Sequence, residues 1–177
     1  MKKLKEYSIP FAGLKLGQHQ FNYEIGKAFF EDFNFDEFND ASVQVQVLLD
    51  KKSTLLELEF KASGTVNIPC DISSEPYDQK ITSSLHLVVK FGEEYNDENE
   101  EILIIPHGEH QIQIAQYIYE MIILAVPAKR VHPGIKDGTL DSEIVKKLKE
   151  LQPKEENNND TKTDPRWDSL RKLLTDK

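Results

Sequence analysis

One cysteine, five histidines and a spread of carboxylates set what chemistry this sequence can attempt. Cys70 is the only thiol, which excludes an intramolecular disulfide, an iron–sulfur cluster and any structural zinc site with two or more thiolates. His107-Gly-Glu-His110 with Cys70 or His132 is the nearest approach to a zinc set. It is incomplete, and two histidines in a loop ahead of a helix are ordinarily solvated surface groups. As a nucleophile Cys70 needs a base, and His86, one strand over, is the nominal one. Strand alternation, however, places Cys70 with Val66 and Ile68 on an apolar face, where a thiol is inert. Glu120 lies in an apolar helix and is a general acid if buried; a paired carboxylate, or one member of an exposed stripe with Gln113 and Gln116, is the commoner role. The sequence has no phosphate-cradling glycine loop, no nucleophile elbow and no paired metal-binding histidines on a helix. The expectation is a protein that is not an enzyme and needs neither cofactor nor metal.

What remains is recognition chemistry, and the charges are segregated for it. Residues 1–127 hold 10 Lys/Arg against 21 Asp/Glu, a balance of −11, while residues 128–177 hold 12 against 10, a balance of +2. A body that acidic repels a phosphate backbone, which disfavours broad electrostatic binding of nucleic acid by the main domain and leaves any such contact local. The cations available are Lys2, Lys3 and Lys5, then Lys129 and Arg130, then Lys146, Lys147 and Lys149. Near the end, Asp164-Pro165-Arg166-Trp167 is a helix start: Asp caps free N–H groups and Pro is tolerated at the first helical position. Trp167, Leu170 and Leu174 repeat at helical spacing among Arg166, Arg171 and Lys172. A helix this short is marginal alone, so it either folds back or anchors Trp167 in a partner's groove. The acidic run Glu93–Glu101 either keeps a sheet edge solvated or holds a basic protein.

The elements that must position these residues are mostly of period two. With 177 residues, 38% apolar and 30% charged, the chain has the core of one folded domain. It shows neither an apolar run long enough to span a membrane nor an apolar segment behind the basic start, which points to a cytoplasmic protein. Tyr7–Phe11 and Phe21–Ile25 read as two opening strands. Lys27–Phe38, aromatic and acidic, reads as a helix turn or an irregular crossover. Val43–Leu49 and Leu56–Phe60 form a hairpin, with Gly64 placed for a bulge before Val66, Ile68 and Cys70 resume the alternation. Residues 71–78 make a polar loop, Ile81–Phe91 is the cleanest strand, and Ile102–Ile105 follows the acidic loop. After Pro106 the period becomes helical. Gln111–Val126 is predicted as a largely buried helix, and Asp141 caps a second one with Ile144, Leu148 and Leu151 on its apolar side. The predicted fold is α+β: a curved antiparallel sheet of about six strands, open-barrel-like, packed by helices. Residues 1–151 form the domain, 152–163 a flexible linker and 164–177 the terminal amphipathic helix.

Several of these segments resemble the YceD family of bacterial and plastid large ribosomal RNA subunit accumulation proteins. Leu14-Lys-Leu-Gly17 with Phe21-Asn-Tyr-Glu-Ile25 and Phe29-Phe30 resembles its N-terminal strand pair. Val66-Asn-Ile-Pro-Cys70-Asp71 resembles its strand ending in a cysteine motif. Glu120-Met-Ile-Ile-Leu-Ala-Val-Pro127 and the terminal Asp164-Pro-Arg-Trp167-x-x-Leu170 are the more specific matches. The chain departs from the family where Cys70-Asp-Ile-Ser73 replaces Cys-x-x-Cys, and where Val131-His132-Pro133 stands for a second cysteine group. The resemblance therefore implies no thiolate metal or redox role here. It implies support of 23S ribosomal RNA accumulation or processing and of large-subunit biogenesis, without catalysis. The partner is then a pre-50S particle, a 23S rRNA precursor or a large-subunit ribosomal protein, with no membrane involved. The binding residues expected are Lys129, Arg130, Lys146, Lys147, Lys149, Asp164, Pro165, Arg166, Trp167, Leu170 and Arg171. The alternative is a protein-interaction adaptor with no RNA role, using the acidic surface and the terminal helix.

Overall fold

A computed structural model describes residues 3–99, 101–140 and 143–151. The predicted Asp141 cap, the linker and the terminal helix lie outside the described residues, as does the Lys149 side chain. Six strands make the main sheet in the order β2-β3-β4-β5-β7-β6: β2 (Gly17–Gly26), β3 (Asp40–Lys51), β4 (Leu55–Pro69), β5 (Pro76–Gly92), β7 (Ile102–Pro106) and β6 (Asn96–Asn99). Among the described residues it is an open sheet, with β2 and β6 as its edges. The long central strands form where Val, Leu, Ile and Phe alternate with polar residues, and each alternation buries the same face: Val43, Val45, Val47 and Leu49 on β3, Leu56, Leu58, Phe60 and Ala62 on β4, Ile81, Leu87 and Val89 on β5. Val47 stands opposite Phe60, which stands opposite Leu85, so the rows align across the sheet. Burying each of these large side chains contributes roughly 1.5–3 kcal/mol.

The structure corrects the predicted strands in four places. The pairing of β3 with β4 and of β4 with β5 runs through Gly64 without a register shift, so there is no bulge. A Cβ at Gly64 would collide with the Ser42 carbonyl oxygen and lie 2.6 Å from Val43 Cα; glycine is needed there because two backbones approach closely. The first predicted strand is outside the main sheet: β1 (Ser8–Ile9) pairs with β8 (Ile112–Gln113) in a two-stranded ladder of its own. The predicted loop at 71–78 is only a tight turn, since β5 begins at Pro76. Finally, β7 runs parallel to β5, because the acidic segment predicted as loop contains β6, and β6 turns back through an antiparallel pairing that delivers β7 between β5 and β6. The acidic composition hid β6 from any alternation signal.

Helices cover the apolar face. α1 (Lys27–Glu31) is one short helix whose end is turned by Asn34 at φ 57°, and it brings the phenylalanines of 29–38 together. The Phe30 ring, fully buried, meets Phe29, Phe35 and Phe38, and Phe33 stacks on Tyr119 at 4.3 Å. Tyr119 belongs to α2 (Ala115–Leu124), which lies against β4 and β5 and buries Ala115, Ile118, Met121 and Ile122. The helix starts four residues later than predicted because β8 uses Ile112 and Gln113 for pairing. Opposite this face, the sheet is open and polar, presenting Gln44, Gln46, Ser63, Thr82, Ser84 and His86. The short α3 (Pro133–Lys136) follows, and α4 (Glu143–Leu151) belongs to a second compact unit.

Candidate functional site

The turn that follows β4 meets the segment that follows α2, and Cys70, Arg130 and His132 converge there. Cys70 donates its N–H to Glu75 O at 2.9 Å and accepts the Ser74 N–H at 2.9 Å, and Ser74 takes a φ of 60° to complete the turn. Asp71 then binds Arg130 through the backbone in both directions. Its N–H donates to Arg130 O at 2.8 Å, and its Oδ2 accepts the Arg130 N–H at 2.7 Å. The Arg130 guanidinium lies 3.6 Å from Asp71 Oδ1 and donates to Glu37 Oε2 at 3.0 Å. Three segments far apart in sequence, 37, 71 and 130, are thus joined by one arginine whose charge is shared between two carboxylates.

The Cys70 thiol is 2% exposed and faces this junction. Its sulfur accepts the His132 N–H at 3.3 Å and the Ile72 N–H at 3.4 Å. Burial pushes the thiol up, but hydrogen bonds from the Ser73 hydroxyl and from the His132, Ser73 and Ile72 N–H groups together outweigh it, and the net displacement is downward. His132 caps α3, its Nδ1 accepting the Gly134 N–H at 2.9 Å, and its ring packs edge-on against Tyr77 at 5.5 Å. The two places where the sequence departs from a cysteine pattern are therefore neighbours. The donors do not suit a metal: one thiol, one buried hydroxyl and an imidazole whose Nδ1 is already engaged. Among the described residues no three His, Cys, Asp or Glu side chains gather as a metal-holding group.

The other candidates fall elsewhere. His107 packs on Phe91 at the far end of β5 from Tyr77, so it does not join Cys70 and His132. His86 is exposed opposite Glu59 on the open face of the sheet and is no base for Cys70. Glu120 is exposed and accepts Gln116 Nε2 at 2.5 Å, which assigns it to the outward stripe of α2. Lys129 is exposed beside the 29%-exposed Arg130 side chain. Lys146 and Lys147 are exposed on α4, while Asp164, Pro165, Arg166, Trp167, Leu170 and Arg171 lie outside the described residues. A depression next to Arg130 is lined by Phe35, Phe38, Ile123, Val126 and Pro127, and Leu124 at the end of α2 is 83% exposed. Sequence reading missed Asp71, Glu37 and Ser73. Asp71 adjoins the cysteine and was within reach of inspection; Glu37 carries no local signal. Among the described residues no helix is long and apolar enough to cross a membrane.

The fold and the junction define a class: an α+β protein with an open sheet, whose turn after β4 is tied by backbone bonds and shared charge to the segment beyond its main helix. A model of the family Large ribosomal RNA subunit accumulation protein YceD matches residues 58–174, about two thirds of the chain, and the chain belongs to that family. The matched span takes in both sides of the junction, Cys70–Asp71 and Arg130–His132. Curated proteins and solved structures gave no match.

Proposed function

We infer that the protein supports accumulation of large-subunit ribosomal RNA as a non-catalytic assembly factor in the cytoplasm, binding a 23S rRNA precursor or a large-subunit protein on a pre-50S particle. Family membership carries this reading. The charge segregation supports how it acts, since the −11 of residues 1–127 leaves RNA contact to the basic residues beyond them. The contact set is Lys129, Arg130, Lys146, Lys147 and Lys149 with the segment Asp164, Pro165, Arg166, Trp167, Leu170 and Arg171. Within it Lys129 outweighs Arg130, whose guanidinium is already shared by Asp71 and Glu37.

The test is sedimentation of the tagged full chain on gradients that separate pre-50S from 30S particles, together with the 23S to 16S ratio in cells lacking the gene. Co-migration with pre-50S and a lowered ratio are expected, and a chain ending at Leu151 should lose co-migration. An unchanged ratio with a normal subunit profile refutes the reading. Crosslinking that recovers only non-ribosomal proteins turns it into the adaptor alternative.

A further inference from the structure

The two edges of the main sheet are unlike. β6 is four residues long, acidic and irregular in register, which are the usual defences of an edge. β2 is ten residues long and regular along its whole pairing with β3, and it contains neither proline nor lysine. Its hydrogen-bonding phase follows from the hairpin. Lys52 donates to Leu55 O at 3.0 Å, so the even residues of β3 bond to β4 and the odd ones to β2. Through the register Val47 to Phe21 and Val45 to Tyr23, the odd residues of β2 are the ones bonded inward. The N–H and C=O groups of Gln18, Gln20, Asn22 and Glu24 therefore point out of the sheet, and among the described residues no strand pairs with them.

The side chains around this edge say what would fit. On the inner face Phe21 and Tyr23 are half-buried, and Tyr23 packs on Tyr7 at 5.6 Å. Apolar side chains at alternate positions of an added strand would find a surface there. The charge is negative: Glu24 is exposed on the strand, Glu31 and Asp32 follow it, and both Glu6 and Asp32 are near enough to Tyr7 to act on its hydroxyl. Lys5 and Lys27 adjoin these in sequence, Lys15 precedes the strand, and Lys61, paired with Glu59, lines a depression with Asn22 and Glu24. The surrounding body, residues 1–127, is −11.

We propose that the outer edge of β2 is a strand-addition site for an extended protein segment in which Lys or Arg alternates with Val, Thr or aromatic residues. Backbone bonds to Gln18, Gln20, Asn22 and Glu24 supply affinity that is independent of side chains; the acidic surroundings select cationic sequence and reject nucleic acid. A second copy of this chain is disfavoured by its own charge of −9. The inference does not rest on the ribosomal reading, because the edge and its charge exist whatever particle the protein serves.

The test uses the full chain and a labelled ten-residue peptide alternating Lys or Arg with Val or Thr, followed by fluorescence anisotropy at 0.15 M salt. Binding is expected, with at least tenfold loss for the same peptide N-methylated at every residue, which keeps charge and side chains but cannot pair. Asn22→Pro, which removes one outward N–H at an edge position where proline is tolerated, should weaken binding at least tenfold with an unchanged circular dichroism spectrum. If that variant does not fold, Glu24→Lys should still weaken binding at least threefold. Equal affinity for the parent and N-methylated peptides overturns the proposal, as does the absence of binding at millimolar peptide. Displacement of the peptide by a twelve-nucleotide oligouridine assigns the surface to RNA instead, and a dimer that Asn22→Pro dissolves assigns the edge to a second copy. Failure here with intact pre-50S co-migration leaves the functional reading standing, and the reverse result leaves the edge site standing.

Discussion

Replacing Asp71 with Ala tests whether the junction holds the turn after β4 to the segment beyond α2. The carboxylate makes one short bond, Oδ2 to the Arg130 N–H at 2.7 Å, and one long ion pair, Oδ1 to Nε at 3.6 Å. A hydrogen bond to a charged group contributes about 1.5–3 kcal/mol. The Asp71 side chain is 44% exposed, so water recovers part of that on removal, and about 1–1.5 kcal/mol is the share to expect. The ion pair, with both partners partly exposed, adds at most about 0.5 kcal/mol. Asp71→Ala should therefore cost about 1.5–2 kcal/mol in urea unfolding, with an unchanged denaturant slope, while Asp71→Asn, which keeps an acceptor, should cost about half as much. Because the larger part goes to a backbone N–H, Arg130→Met removes little of it. A double-mutant cycle between Asp71→Ala and Arg130→Met should give a coupling below about 0.5 kcal/mol. An Asp71→Ala protein within about 0.3 kcal/mol of the parent, or a coupling above about 1 kcal/mol, refutes this assignment of the energy.

Gly64→Ala should lower stability by about 2 kcal/mol or more: the clash is with the Ser42 and Val43 backbone, which cannot yield as a side chain would, and it exceeds the roughly 0.5–1 kcal/mol gained by removing a strand glycine; an unchanged urea midpoint would contradict the close approach. Tyr7, pushed up to about 12 first by burial and then by Glu6, has a folded value above the ordinary 10, so its contribution is complete below pH 10 and is lost as pH rises towards 12. Tyr7→Phe should then reduce the loss of stability across that window by about 2 kcal/mol, measured by urea unfolding at each pH. Cys70, displaced downward yet 2% exposed, should react with Ellman's reagent only at the rate of unfolding; labelling in native buffer as fast as a free thiol would show that the sulfur is accessible.

Much of the sheet was legible because its faces are chemically distinct. Residues 43–49, 56–62 and 81–91 alternate apolar with polar, and that period alone sets both the strand and its inward face. Three failures share one cause, which is that pairing partners are not a local property. Tyr7–Phe11 has strand composition but bonds to Ile112–Gln113 across more than a hundred residues, and those two residues are apolar and polar in a way that also suits a helix start. The direction of β7 depends on β6, whose residues are Asn, Asp, Glu and Asn. Gly64 reads as a bulge, and only the unbroken register on both sides shows a close backbone approach instead. At the junction the cysteine and Arg130 were visible as types and Asp71 was marked only by its place beside the cysteine, while nothing among 31 acidic residues marks Glu37 as the second carboxylate that faces Arg130.

An acidic protein in a family named for ribosomal RNA accumulation poses a physical question, since both it and the RNA repel each other at long range. The repulsion sharpens rather than forbids recognition. At 0.15 M salt the field of the body is screened beyond about 8 Å, so on the proposed reading exposed lysines of the net-positive residues 128–177 would meet phosphate with little of that repulsion. The same negative body attracts cationic polypeptide. On the two proposals together, an acidic body followed by a net-positive stretch at residues 128–177 would draw protein segments to β2 and leave RNA to Lys129 and the residues that follow. The arrangement also fixes a measurable asymmetry: raising the salt weakens both contacts, but replacing Glu24 with Lys weakens only the first, and replacing Lys129 with Glu only the second.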